Sequence, residues 1–539
     1  MKKIIFLLLL NLLLFSCARV GAPNGGTRDS LAPKFLGSNI DTTRLNVSRT
    51  VKELRLDFDE YVMLKDFNKN FNVSPPIKKI KKVIPSNLAN KYVLIQWEDT
   101  LQANTTYNFN FGNAIVDNNE SNPLPYFNFA FSTGDKIDDL FVSGTVKDAM
   151  TLIKENQTAK DNKMVVGLYK AGENLDYKQK PDYITKVDEE NYFELNFLPK
   201  GEFVIIAFDD ENQNSVYDAG KEKVSFLKEK ITLDSTSVRG LKLKLYPSKK
   251  VVKYKESKAI NGGLLMTFEG NPETVEVKSL SEELKDFKVT HAKRSDSVNI
   301  WFDAEKSNLG GTVSKQVKLS YFTPTISDTI SVSYKAVKDE FKLSNEAGNL
   351  IAPENNFVIN TSLPIENLNT SSWKLESDSI AQDFTAKISE KNPFKILVNS
   401  SFKPTKKYVL TIPKETVSSY YSSNDKSFQF QFEIDKPENY GSFTAVIKNK
   451  PTAKFWVELT NEKGEILYSQ FTNASEVSFK NLKPATYIAR IRVDNNGNGF
   501  WDEADFAQNI AAEDVYIFEK EINVRPLWEI KEDWELINH

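Results

Sequence analysis

With a single cysteine and two histidines in 539 residues, this chain lacks the side chains that most familiar catalysts need. Cys17 alone can form neither an intrachain disulfide nor a cysteine-based zinc site. Any histidine-dependent triad, dyad or metal centre would have to run through His291, because the other histidine is the terminal His539. Charge of one sign is lacking too: 70 Lys+Arg stand against 73 Asp+Glu, a formal net charge of −3. No nucleic-acid partner and no electrostatically held membrane surface is expected from that balance. What the chain has in quantity is apolar and aromatic. At 40% hydrophobic and 12% aromatic it can fill real cores, which excludes wholesale disorder. At roughly 100–150 residues per domain, the length calls for about four or five domains.

The first residues set the compartment. Lys2 and Lys3 precede an apolar run from Ile4 to Leu14, broken only by Asn11. About eleven helical residues reach roughly 17 Å, short of a bilayer core of about 30 Å. Residues 1–16 therefore read as a secretory signal peptide. Leu14-Phe15-Ser16-Cys17 resembles a lipobox, in which the cysteine is acylated by lipid such as palmitate and becomes the mature N-terminus. Phe15 is bulkier than the small residue usual there. The plainer alternative is an ordinary signal peptide with an incidental thiol. Residues 17–33 read as a tether, and anchoring in the cell outer membrane is expected. For lipoproteins of the kind this lipobox resembles, acids directly after the cysteine mark export to the surface; their lack after Cys17 implies a lean towards the periplasmic face, with the cell surface left open.

Beyond the tether, apolar residues recur at period 2, as in Leu54-Arg55-Leu56-Asp57-Phe58, Tyr107-Asn108-Phe109-Asn110-Phe111 and Phe428-Gln429-Phe430-Gln431-Phe432. That is the pattern of half-buried strands, and no long segment shows helical periodicity. The expectation is an all-β, rod-like string of about five antiparallel sandwiches. They are placed at 34–136, 137–247, 248–338, 339–435 and 436–539.

An internal repeat is the sharpest feature. The stretch from Leu198 to Asp218 aligns without gaps on Leu482 to Asp502, 284 residues later, matching Asp210 with Asp494, Asn212 with Asn496 and Asn214 with Asn498. Upstream, Val166 and Leu168 correspond to Val457 and Leu459. The later loop spaces its oxygens like the first half of an EF-hand loop: Asp494, Asn496, Asn498, a carbonyl from Phe500, Asp502, and Asp505 at the closing position. Structural calcium is expected there; the bland reading is an Asx-rich turn without metal. A second site is expected at Asp210, Asn212, Asn214 and Asp218, weakened by Ser215 and Lys221 at positions 6 and 12.

The tether Cys17-Ala18-Arg19-Val20-Gly21-Ala22-Pro23, the run Phe58-Asp59-Glu60-Tyr61-Val62, Ser74-Pro75-Pro76 and the ending Val524-Arg525-Pro526-Leu527-Trp528-Glu529 resemble Bacteroidota envelope lipoproteins. The resemblance implies an N-terminal bacterial Ig-like domain of the S-layer-protein type, followed by transthyretin-like and carboxypeptidase-regulatory-like sandwiches. It implies export and lipid anchoring, and no agreed activity.

Other candidates read as structural. Asp59 and Glu60, strand neighbours, point to opposite faces and cannot form a glycosidase pair; Asp57 belongs to the same cluster. His291 reads as a strand residue. Trp528 and Trp534, with Ile530 and Leu536, read as a final core strand, with an exposed aromatic face as the alternative. The Lys78-Lys79-Ile80-Lys81-Lys82 run reads as a solvated hairpin, with the steering of an acidic partner as the alternative. The functional expectation is a non-catalytic scaffold subunit of an envelope complex, in assembly or export of outer-membrane β-barrel proteins. A surface adhesin or glycan-binding lipoprotein, using Phe500 and Trp501, is the alternative.

Overall fold

The computed structural model describes residues 29–152, 163–172, 176–337, 339–346 and 348–536. The signal segment and Cys17 lie outside the described residues. Strand dominates the described residues, and among them the helical turns are Phe67–Asn70, Thr370–Ser372 and Pro437–Asn439. Among the described residues no helix is long and apolar enough to cross a membrane.

The first sandwich shows how alternation becomes a core. One sheet runs Phe35–Ser38, Glu53–Leu64, Asn90–Trp97, Ile80–Ile84, and the other runs Asn72–Ser74, Thr106–Gly112, Phe127–Ser132. Leu54, Leu56 and Phe58 point inward from one sheet against Tyr107, Phe109, Phe111, Phe129 and Phe131 of the other. Each such side chain removed from water is worth about 1.5–3 kcal/mol. Ile80–Ile84 is an edge strand, paired only with Asn90–Trp97, and its exposed lysines discourage pairing with another chain. Lys79 makes an ion pair with Glu98 at 2.7 Å.

The third sandwich sets Lys253–Ile260, Gly263–Glu269, Ser297–Trp301 and Lys288–His291 against a three-stranded sheet built on Lys315–Phe322. The fourth, spanning Leu343 to Ile434, takes Trp301 of the third into its core, where that ring lies 6.0 Å from Phe394.

The second and fifth sandwiches share one topology, strand for strand. In the second, β1 (Leu140–Asp148), β2 (Met164–Lys170), β3 (Tyr183–Lys186), β4 (Tyr192–Leu198), β5 (Gly201–Asp209), β6 (Val224–Phe226), β7 (Ile231–Leu233) and β8 (Val238–Leu245) form sheets ordered β3-β2-β5-β6, with β7 also on β5, and β4-β1-β8. In the fifth, β9 (Gly441–Lys448), β10 (Phe455–Thr460), β11 (Ile466–Thr472), β12 (Glu476–Leu482), β13 (Ala485–Val493), β14 (Val515–Ile517), β15 (Ile522–Val524) and β16 (Glu529–Glu535) repeat both orders. In each, the first and last strands pair in parallel. Trp534 and Leu536 are buried, with Trp534 5.3 Å from Phe518, whereas Trp528 is 47% exposed beneath Arg525. The final strand is thus core at one end and exposed at the other.

The sandwiches do not continue as a straight rod. The fifth folds back onto the second and third. Ala504 bridges Ser248 in the linker between those two, and Phe506 enters an apolar cluster on the outer face of the β2–β5 sheet.

Candidate functional site

Each copy of the repeat follows its long central strand, β5 or β13, with an Asx-rich loop. In the second copy Asp494 accepts from the main-chain N–H of Asn498 and of Gly499, both at 3.0 Å. Asn498 Oδ1 accepts from the Phe500 N–H at 2.8 Å, and the amides of Asn496 and Asn498 donate to Asp502 Oδ2 at 2.5 and 2.7 Å. In the first copy Asp210 accepts from Asn214 and Ser215, and the Asn212 amide donates to Asp218 at 2.6 Å. Positions 4 and 6 of both loops are left-handed: Gly497 and Gly499 in one, Gln213 and Ser215 in the other. Glycine adopts that backbone freely, whereas side chains pay a steric cost.

Asp505, expected at the closing position, bonds within its own turn. Its side chain accepts from the Gln508 N–H at 3.2 Å, and its backbone pairs with Ile510. Glu513 closes on the loop, accepting from the N–H groups of Asn496 (3.1 Å) and Asp502 (2.9 Å). Its counterpart is Glu222, which accepts from Glu211 and Asp218. Asp218 and Asp502 are 284 apart, but Glu222 and Glu513 are 291 apart, so the later loop carries seven extra residues. The gapless reading ran into that insert and missed both glutamates. The recurring Glu-x-Val before the next strand, Glu222-Lys223-Val224 and Glu513-Asp514-Val515, was the available signal. Both glutamates are buried, at 2% and 7% exposure; burial pushes Glu222 up to about 7 and Glu513 above the ordinary range.

The insert joins the fifth sandwich to the second. Phe506 lies 4.4 Å from Tyr177, 5.1 Å from Phe226 and 5.9 Å from Tyr217. Its neighbour Ala504 exchanges main-chain bonds with Pro247 and Lys249. From the third sandwich, Arg294 reaches Asp502 at 2.7 Å and Glu273 at 2.5 Å, and its guanidinium lies 4.6 Å from the Phe500 ring. Burial raises Asp502, but Asn496, Asn498 and Arg294 outweigh it and hold the carboxyl below its usual range.

The oxygens around this loop suit a hard cation in kind, since calcium takes carboxylate, amide and carbonyl ligands. Among the described residues no group of three or more Asp, Glu, His or Cys side chains converges as a metal cage. A cation would therefore lean on asparagine amides and main chain, and would compete with Arg294 for Asp502.

The remaining candidates are placed as follows. His291 Nε2 lies 3.0 Å from the Ser295 carbonyl. Asp57 pairs with Arg55 in the open, and Asp59 accepts from the Lys34 N–H. Glu60 is raised by burial and by Asp117, whose carboxylate in turn accepts from four successive N–H groups, Asn119 to Asn122.

Residues 29–133 match the bacterial Ig-like domain family. No curated protein matches the chain. Among solved structures, surface layer protein SbsC, domains 1–6, is 12% identical, with 92% of this chain and 67% of that one covered and a TM-score of 0.16. BcpA, the major pilin subunit of Bacillus cereus, is 11% identical over 74% and 99% of the two chains, at a TM-score of 0.13. The Bacillus anthracis TIE protein is 11% identical over 95% and 76%, also at 0.13. Overlap this slight carries no argument about what the chain does. Five sandwiches, two of them copies of one plan, follow from the strand order, and the first of the five is the part that matches the bacterial Ig-like domain family.

Proposed function

We propose that the protein is a non-catalytic lipoprotein of the cell outer membrane, anchored through Cys17, that serves as a protein-binding scaffold in an envelope complex. Assembly or export of outer-membrane β-barrel proteins is the setting that suits this reading. The observation that carries it is the fold-back: the insert at Phe506 and the Arg294–Asp502 pair tie three sandwiches together. A framework held in one arrangement presents its edges and loops pre-ordered, which lowers the entropic cost of docking a partner. Calcium belongs to the same proposal. In the fifth sandwich Asp494, Asn496, Asn498, Asp502 and Glu513 would hold it, and in the second Asp210, Asn212, Asn214, Asp218 and Glu222. Its part would be to stiffen the loops.

The test is recovery of a C-terminally tagged full-length copy from envelopes in mild detergent, with partners identified by mass spectrometry. A stoichiometric barrel or export partner, lost from the membrane fraction in Cys17→Ala, is the expected result. Recovery of the protein alone, in repeated mild extractions, contradicts it.

A further inference from the structure

A cleft of about 1340 Å³ opens where the second, third and fifth sandwiches meet. We propose that it binds an anionic oligosaccharide, with Lys221, Lys249, Lys250, Lys253 and Lys255 as the receiving charges. The inference shares with the scaffold reading only the fold-back of the fifth sandwich, and it needs no cation in the loops.

All five lysines line the cleft, and none has an ion pair or side-chain hydrogen bond with a described residue. Their backbone is nonetheless fixed from three sides. Gly220 of the second sandwich comes so near that a Cβ on it would lie 2.8 Å from Lys250 Cα. A Cβ on Gly270 of the third would lie 2.9 Å from the Lys250 carbonyl. Both glycines also have positive φ, so only glycine serves without strain. From the fifth sandwich, the Ala504 carbonyl accepts from the Lys249 N–H at 2.8 Å. Lys255 is the extra residue of a β-bulge between Tyr254 and Glu256, a device that re-aims a side chain.

Acids in the same walls are largely engaged. Asp502 and Glu273 bind Arg294, Glu513 accepts two N–H groups, and Asp505 accepts from Gln508. Asp296 accepts from Ser297. Of the acids that remain, Glu269 lies across the strands from Lys253, and Glu503 feels the charges of Lys249 and Lys250. Hydrogen bonds leave those carboxylates charged, so the lining as a whole is balanced, with seven Lys or Arg against seven Asp or Glu. Its cationic part is the side of Lys221, Lys249, Lys250, Lys253 and Lys255, where walls of low dielectric focus the field on an anion.

The rest of the lining favours a sugar over an acidic peptide. Asn271 and Thr325 line the cleft with an amide and a hydroxyl, and Phe500 and Trp501 line it too, their rings facing Arg294 and Arg492. The main chain at Ser248 and Lys249 is already paired to Ala504, so no free strand edge is offered there for a peptide to extend. The acid groups of the ligand are carboxylate or phosphate, which the lysines receive alike.

The test is calorimetric titration of the full-length protein in detergent, at low salt. The probes are an oligogalacturonate, a phosphorylated mannan oligomer, a neutral dextran oligomer and a poly-glutamate of matched charge. One or both anionic sugars should bind, and the two arms tell carboxylate from phosphate. Binding should fall at least about tenfold, or about 1.4 kcal/mol, when Lys249, Lys250, Lys253 and Lys255 are all changed to glutamine. It should fall similarly in Phe506→Asp, which keeps the lysines but releases the wall that the fifth sandwich supplies. Failure of both anionic sugars, undiminished binding by the lysine variant or by Phe506→Asp, or equal binding of poly-glutamate would overturn the proposal. The sugar titrations and the lysine variant leave the recovery of protein partners untouched, so the two readings fail separately.

Discussion

Ser215 and Gly499 occupy equivalent places in the two loops, both left-handed, with φ of 61° and 81°. The serine carries a steric cost of about 1–2 kcal/mol that the glycine does not, offset in part by the greater freedom of glycine when unfolded. Ser215→Gly should therefore stabilise the protein by up to about 1 kcal/mol, read as a shift in the denaturant midpoint. A second residue-scale contrast lies in the fifth sandwich. Glu458 is fully buried, with Arg490 and Arg492 bonded to it at 2.7 Å or closer. The matching positions of the second sandwich are Gly167, Ile206 and Phe208. Glu458→Gln leaves two arginines without their counter-ion and should cost about 3–5 kcal/mol. Replacing the whole trio with apolar residues, Glu458→Leu with Arg490→Ile and Arg492→Phe, should recover most of that loss, and chemical denaturation of the single and triple variants checks both statements.

Among the elements, β8 has Lys244 half-buried near Asp514. Burial lowers its pKa, and the attraction of Asp514 offsets only part of this. The folded state then holds fewer protons than the unfolded one between the lowered value and the ordinary lysine value. Stability rises with pH across that window, and the penalty is fully present at neutral pH. Lys244→Met should raise the melting temperature at pH 7, with a gain that shrinks as pH climbs towards 10.5. The loops give a complementary prediction. If calcium fills the loop of the fifth sandwich, saturation at 100 times the dissociation constant adds about 2.7 kcal/mol. Chelation should then lower the melting temperature in the parent and not in Glu513→Gln, and an unchanged parent would remove calcium from the account.

The strands themselves were legible, because alternation in Tyr107, Phe109 and Phe111 has the period of the pleat and those residues are buried. The duplication was legible for the same reason: its matched residues sit in β5 and β13 and in the loops that follow. What failed to read was whatever depended on register or distance. The seven-residue insert holds Asp505 in its own turn while Glu513 closes on the loop, and Trp528 turned outward although its spacing from Trp534 matched a buried face. Phe506 was illegible altogether, since a lone aromatic in a polar stretch shows no period, and its partners lie some 280–330 residues earlier.

For the whole molecule, duplication and insertion together explain the shape. One copy has the short loop; the other carries seven more residues, a segment that plugs the outer sheet face of its sibling. Burying Phe506 against Tyr177, Tyr217 and Phe226 adds hydrophobic gain, and Arg294 adds a polar latch from the third sandwich. Burying a phenylalanine side chain contributes about 1.5–3 kcal/mol, enough to shift a domain equilibrium by one to two powers of ten. The scaffold reading and the cationic cleft both need this closure, since each depends on the fifth sandwich lying against the second. Small-angle X-ray scattering of the parent and of Phe506→Asp tests it most directly. The account predicts a compact parent whose scattering fits the folded-back arrangement, and a larger radius of gyration in the variant with its individual sandwiches intact. A parent already as extended as the variant would contradict the closure.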